Sequence, residues 1–203
     1  MNRLLIASNN AHKLTELKEI FEGLPFEITS PAEEGIVLDP AETGLTFEEN
    51  AVIKAVAFAR VSQLPVLADD SGLEVDALGG EPGVYSARYG GMAKNDHAGR
   101  NRLVLEKLAA SDIPWPARTA RFKCVMALAT ANRGLVGTRE GTVEGYIAYE
   151  PAGQNGFGYD PIFFVPQYNQ TLAQLSAAQK HTISHRGRAA RAAIPLIQQL
   201  LST

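Results

Sequence analysis

Hydrophobic and polar positions along this chain follow two periods, and the points where one period gives way to the other predict the order of elements. Leu4–Ala7 is a short apolar run followed at once by Ser8-Asn9-Asn10, after which Leu14, Leu17, Ile20 and Phe21 recur at helical spacing. That pattern predicts strand, polar loop and helix, with Asn10 as the N-cap. A second strand is predicted over Phe26–Thr29, followed by an acidic, Gly- and Pro-containing loop from Ser30 to Leu45. Thr46 and Glu49 have the capping-box form, and Val52, Val56 and Ala59 line one face of a helix that runs to about Ser62. Pro65 opens a buried strand that ends on Asp69-Asp70 and is expected to turn at Ser71-Gly72.

Beyond that point the pattern predicts a surface loop over Leu78–Gly91 and a helix over Asn95–Ala110 with Leu103, Leu105 and Leu108 inward. Two long strands follow, Thr119–Thr130 and Leu135–Tyr149, read as antiparallel partners around Asn132-Arg133-Gly134. A Gly-rich loop over Gly153–Tyr159, a strand over Ile162–Val165 and a closing helix over Ala189–Leu201 complete the series. Pro195 inside that helix predicts a kink or a late start. No internal repeat or linker interrupts the chain. The mixture is α/β, with a long mixed sheet and flanking helices.

Composition narrows the function. The 203 residues are 45% hydrophobic, enough for a substantial core, and carry 19 Lys and Arg against 22 Asp and Glu, a net charge of −3. No overall positive field draws such a chain to nucleic acid or to an anionic membrane. The first ten residues lack the long apolar core of a signal peptide, and no run reaches the ~18 apolar residues of a membrane span, so a soluble cytoplasmic protein is expected. Cys124, the only cysteine, lies in an apolar run and reads as a buried thiol.

Against this background, Asp69-Asp70 is the most informative feature. Ionised carboxylates are costly beside an apolar core unless a cation or dense hydrogen bonding compensates them, and hard oxygen ligands with few neighbours suit Mg²⁺ bound to a phosphorylated substrate. Other polar clusters accompany it: Ser8, Asn10 and Lys13 after the first strand, Asn50 and Lys54 on one helical face, and Lys180 ahead of Ser184-His185-Arg186. Singly, each reads as solvated surface. Together they supply the cations, short donors and metal-binding acid that a triphosphate requires, with no P-loop motif present. Phe157 beside glycines is suited to lie against a flat heteroaromatic base.

Six motifs then occur in one order: Ser8-x-Asn10-x-x-Lys13, Thr46-Phe47-Glu48-Glu49-Asn50-Ala51, Ala68-Asp69-Asp70-Ser71-Gly72-Leu73, Gly83-Val84-Tyr85-Ser86-Ala87-Arg88-Tyr89, Phe157-Gly158-Tyr159-Asp160-Pro161 and Ser184-His185-Arg186. In that order they resemble the inosine triphosphate pyrophosphatase family, in its bacterial Ham1-like form, over nearly the whole chain. The resemblance implies hydrolysis of ITP, dITP, XTP and dXTP to the monophosphate and pyrophosphate, sanitising the nucleotide pool. It also implies one elongated α/β domain over residues 1–203, with a central mixed sheet, two lobes and a cleft, working as a homodimer.

Residue by residue, the resemblance assigns phosphate binding to the loop of Ser8, Asn9, Asn10, Ala11, His12 and Lys13. Asp70 matches the metal-linked catalytic carboxylate, Glu42 a second Mg²⁺ acid and Ser71 a substrate contact. Phe157, Gly158, Tyr159, Asp160, Lys180, His185 and Arg186 match base-recognition positions. His12, Gln179 and the Gln154-Asn155 pair depart from the usual family pattern without removing a matched functional group.

The expected chemistry has Mg²⁺ held by Glu42 and Asp70, with a carboxylate, which the resemblance makes Asp70 although the sequence alone does not rank it against Asp69, orienting or deprotonating a water aimed at the α-phosphorus, and Lys13 and Lys54 stabilising the departing pyrophosphate. Donors near the purine 6-position would favour a 6-oxo base over adenine, whose amino group leaves them unpaired. Exclusion of GTP has no evident sequence signal. Two other classes compete. A nucleotide sensor would not need the apparatus of Asp70, Glu42 and Lys13, and a phosphohydrolase acting on another substrate would not need Phe157 or Ser184-His185-Arg186.

Overall fold

A computed structural model describes residues 3–200 of the chain. Its strands are β1 (Arg3–Ile6), β2 (Glu27–Thr29), β3 (Val66–Val75), β4 (Thr119–Thr130), β5 (Gly134–Ile147), β6 (Phe163–Val165) and β7 (Gln170–Thr171). They form one seven-stranded sheet in the order β2-β1-β3-β4-β5-β6-β7. β1 pairs in parallel with β2 and β3, whereas β6 pairs antiparallel with β5 and β7, so the sheet is mixed. The helices are α1 (Ala11–Ile20), α2 (Phe47–Ser62), α3 (His97–Ala110), α4 (Ala177–Ile183) and α5 (His185–Gln199).

Local sequence explains most of these boundaries. Asn10 caps α1 by accepting from the backbone N–H groups of His12 and Lys13. The Thr46 and Glu49 box closes both ways at the start of α2, as the spacing predicts. Asp96 caps α3 by accepting from the Gly99 N–H.

Four expectations need correction. β3 does not turn at Ser71-Gly72: it continues to Val75, because Leu73 and Val75 are both core residues and keep the strand's inward alternation going. The predicted Leu78–Gly91 loop contains a kinked 3-10 segment over Gly83–Gly91. α4 and β7 are additional elements; α4 opens on a Ser176 and Gln179 capping box that has the same form as the one recognised at Thr46. The closing helix starts early, at His185, and carries Pro195 within it, because the ring removes only one N–H from a helix already well established. The predicted end of that helix at Leu201 lies outside the described residues. Among the described residues, no helix is long and apolar enough to cross a membrane.

The chain divides into two compact units, each with its own apolar core. The first takes in the chain up to Asp70, Cys124–Gly141 and the chain from His185 onward. Its core gathers Leu4, Ile6, Leu17, Phe21, Leu67 and Met126 around Ala189 and Ile197 of α5. The second comprises Ser71–Lys123 and Thr142–Ser184, with Leu73, Val75, Phe122, Val143, Ile162 and Phe163 at its centre.

Candidate active site

Successive residues of a strand face opposite sides, and this alternation separates the two carboxylates at the end of the first unit's stretch of β3. Asp69 is almost wholly buried and meets partners from distant parts of the chain. The Lys13 ammonium lies 2.9 Å from its Oδ2, Arg186 Nη2 lies 3.3 Å from the same oxygen, and the Cys124 thiol donates to it at 3.9 Å. Arg186 in turn places Nη1 2.7 Å from Glu16 Oε2. Burial opposes ionisation of Asp69, but Lys13, Arg186 and Lys54 outweigh it and hold the carboxyl well below the usual carboxylate range.

Asp70 faces a different cation. Its Oδ1 is 3.1 Å from Lys54 Nζ, and the same ammonium is 3.1 Å from Glu42 Oε1, so two carboxylates converge on one positive charge. Burial raises the pKa of Asp70; Lys54 and Lys13 oppose the shift and Glu42 adds to it, leaving the carboxyl above its ordinary range. For Lys54, burial disfavours the charge, yet Asp70, Asp69 and Glu42 together raise its pKa. Two adjacent acids therefore have opposite electrostatics. One is pinned in its ionised form, and the other has a raised proton affinity of the kind a general base needs.

Around these groups, Ser8 Oγ accepts from the Asn10 N–H at 3.2 Å, tightening the turn into α1. Asn9, Ala11 and His12 are exposed there. Asn50 is fully buried on α2, where its side chain bonds both backbone groups of Gly44, two residues beyond Glu42. Glu42 is thereby tied to the helix that carries Lys54.

A second polar cluster lies in the second unit, which also contains the half-buried Ser71. Asp160 Oδ2 accepts from the Phe157 N–H at 2.8 Å and from Lys180 Nζ at 2.7 Å, and that ammonium sits 5.0 Å from the Phe157 ring centroid. Gly156 is required in this turn: its φ is +74°, and a Cβ there would collide with the Asp160 carboxylate. Gly158 is also left-handed, with φ +65°. Phe157 is half-buried, whereas Tyr159 belongs to the core, with its hydroxyl donating to the Ser86 carbonyl at 2.8 Å.

Sequence reasoning grouped Arg186 and His185 with the base residues. The structure places both in the first unit, buried, with the Arg186 guanidinium on Asp69 and Glu16. Glu16 belongs to none of the sequence motifs, although it shares a face of α1 with Lys13 at i, i+3 spacing. Among the described residues, no three His, Cys, Asp or Glu side chains gather into a ready-made metal cage. The Glu42 and Asp70 pair nevertheless has the donor chemistry of a Mg²⁺ site, which takes one or two carboxylates and completes its shell with water and substrate phosphates.

Comparison with known proteins gives the context of this geometry. A model of the Ham1 family matches residues 4–196. A dITP/XTP pyrophosphatase of Halalkalibacterium halodurans is 47% identical over 92% of this chain and 94% of its own. The dITP/XTP pyrophosphatase of Bacillus subtilis is 46% identical over 98% of each. Among solved structures, a HAM1 protein from Coxiella burnetii superposes with a TM-score of 0.86 at 44% identity, covering 98% of this chain and 100% of that one. The Staphylococcus aureus Ham1 protein gives 0.82 at 43% identity, covering 99% and 98%.

Proposed function

This chain belongs to the Ham1 family, and from that premise we propose how its residues carry out the reaction of a dITP/XTP pyrophosphatase. The activity is that of its full-length relatives: hydrolysis of a non-canonical purine nucleoside triphosphate to the monophosphate and pyrophosphate. The observation that carries the mechanism is the convergence of Glu42 and Asp70 on Lys54, beside an Asp69 neutralised by Lys13 and Arg186.

Asp70 takes the proton of the attacking water, a role consistent with its raised proton affinity. The water oxygen bonds to the α-phosphorus, the bond from that phosphorus to the bridging oxygen breaks, and the electron pair leaves on pyrophosphate. Lys13 and Lys54 stabilise the charge that accumulates there. Glu42 and Asp70 are the residues that would hold Mg²⁺, which when bound neutralises phosphate oxygens and orients them for in-line displacement. Ser8 to Lys13 bind phosphate, and Asp69 keeps the Lys13 ammonium in place.

Base recognition is assigned to Phe157 as the stacking surface, with Asp160 and Lys180 holding its turn and Tyr159 supporting the loop from the core; Gly158 and His185 keep the base-recognition role, and Ser71 the substrate contact, that the family resemblance implies. Donors directed at the 6-oxo group would be left unpaired by adenine. The ion pairs of Arg186 favour a second reading of that residue, in which it anchors Asp69 instead of touching the base. The homodimer implied by the family resemblance and the cytoplasmic location expected from the sequence belong to this proposal as well, and a monomer mass by light scattering would remove the dimer.

A panel of ITP, dITP, XTP, ATP and GTP with Mg²⁺, scored for pyrophosphate against orthophosphate, tests the reading. Fast release of pyrophosphate from the first three is expected. Equal rates on ATP would contradict it.

A further inference from the structure

Lys180 and His97, both of its own unit, meet the Phe157 ring. Lys180 places its ammonium 5.0 Å from the ring centroid, and the His97 ring lies 6.5 Å away, tilted by 64° in an edge-to-face arrangement. His97 opens α3 and belongs to none of the motifs that mark the base-recognition residues.

The position of the His97 ring is set from behind. Arg100, one turn further along α3 and only 2% exposed, donates from Nη1 to the Ala93 carbonyl at 2.6 Å and from Nη2 to the Lys94 carbonyl at 3.0 Å. The same Nη2 lies 2.8 Å from His97 Nδ1. A guanidinium can only donate, so Nδ1 accepts and the neutral imidazole carries its proton on Nε2. One arginine thus fixes the imidazole that meets the Phe157 ring.

We propose that His97, fixed by Arg100, is a positioning residue for the purine base: it sets the plane of the Phe157 ring against which the base stacks. The proposal rests on the reading of Phe157 as the stacking surface and extends it to α3. Simple stapling of the helix start does not require the imidazole, because Asp96 already caps α3 through Gly99 and Arg100 already binds the 93 and 94 carbonyls. Removing the His97 ring should therefore leave a folded enzyme.

The test is calorimetric titration of IMP and, separately, of pyrophosphate into wild type, His97→Ala, His97→Phe and Phe157→Ala, with kcat and KM for ITP on the same proteins. His97→Ala is expected to weaken IMP about fivefold, raise KM for ITP by a similar factor, and leave pyrophosphate affinity and kcat within about twofold. His97→Phe, which keeps an aromatic ring beside Phe157, should fall between wild type and His97→Ala. Unchanged IMP affinity in His97→Ala, equal weakening of IMP and pyrophosphate, or a His97→Phe no better than His97→Ala would each overturn the positioning role. Phe157→Ala separates the two levels. If it weakens IMP while His97→Ala does not, only the role of His97 falls; if it leaves IMP unchanged, the stacking surface falls and the positioning role with it.

Discussion

Arg186 points Nη2 at the Asp69 carboxylate from 117 positions further along the chain, 3.3 Å from Oδ2, with both side chains essentially closed to solvent. A buried charge that loses one partner is left uncompensated, which costs about 3 to 5 kcal/mol. Arg186→Ala should therefore lower stability by roughly 3 kcal/mol, since Lys13 remains on Asp69 to soften the loss. Urea unfolding measures this. If Arg186 is an anchor, kcat/KM for ITP and for ATP fall by the same factor and their ratio holds; a ratio that moves toward one would return Arg186 to base recognition.

The lowered pKa of Asp69 carries a definite sign. Its folded-state value lies below the usual Asp value of about 4, so the stability it contributes is present above that range and is lost as pH falls through the folded value. In metal-free buffer, the gap in urea midpoint between wild type and Asp69→Asn should be widest at neutral pH and narrow steadily toward about pH 2. A gap that stayed constant would show that Asp69 contributes through shape alone.

Asp70 carries the opposite sign. Its folded-state value is raised, chiefly by burial, so its ionised form costs stability, and the cost appears as pH rises through that value. Asp70→Asn should melt at or above the wild-type temperature at neutral pH without metal. Its turnover of ITP should fall by at least about a hundredfold, the scale of losing a general base. A variant that is less stable and still active would mark Asp70 as structural.

These two acids also show what the sequence makes legible. Periodicity located β1, α2, α3 and most of β4 and β5, because one buried face dictates each pattern over many residues. Asp70-Ser71-Gly72 predicts a turn by residue type, but Leu73 and Val75 supply core contacts that a local reading cannot weigh. The capping box at Thr46 was legible; the same pattern at Ser176 opens a helix too short to show an apolar period. The site residues were nameable as residue types. Their pairing was not, because Asp69 meets Lys13, Cys124 and Arg186 only through the sheet and the two helices packed on it.

Cys124 offers a direct check on that packing. Burial, with the Asp69 charge nearby, pushes its thiol up to about 12, so almost no thiolate exists at neutral pH. As the sole cysteine it gives an unambiguous signal. A disulfide reagent should leave the native protein unlabelled and react stoichiometrically in denaturant. Rapid labelling of the native enzyme would contradict the closed environment around Asp69.

In the proposed mechanism a water that Asp70 deprotonates attacks the α-phosphorus. Hydrolysis of ITP in ¹⁸O-labelled water, with both products weighed by mass spectrometry, measures the position of attack directly. One labelled oxygen in IMP and none in pyrophosphate is the predicted result. Label in pyrophosphate with unlabelled IMP, or orthophosphate as the first labelled product, would place the attack on another phosphorus and contradict the mechanism.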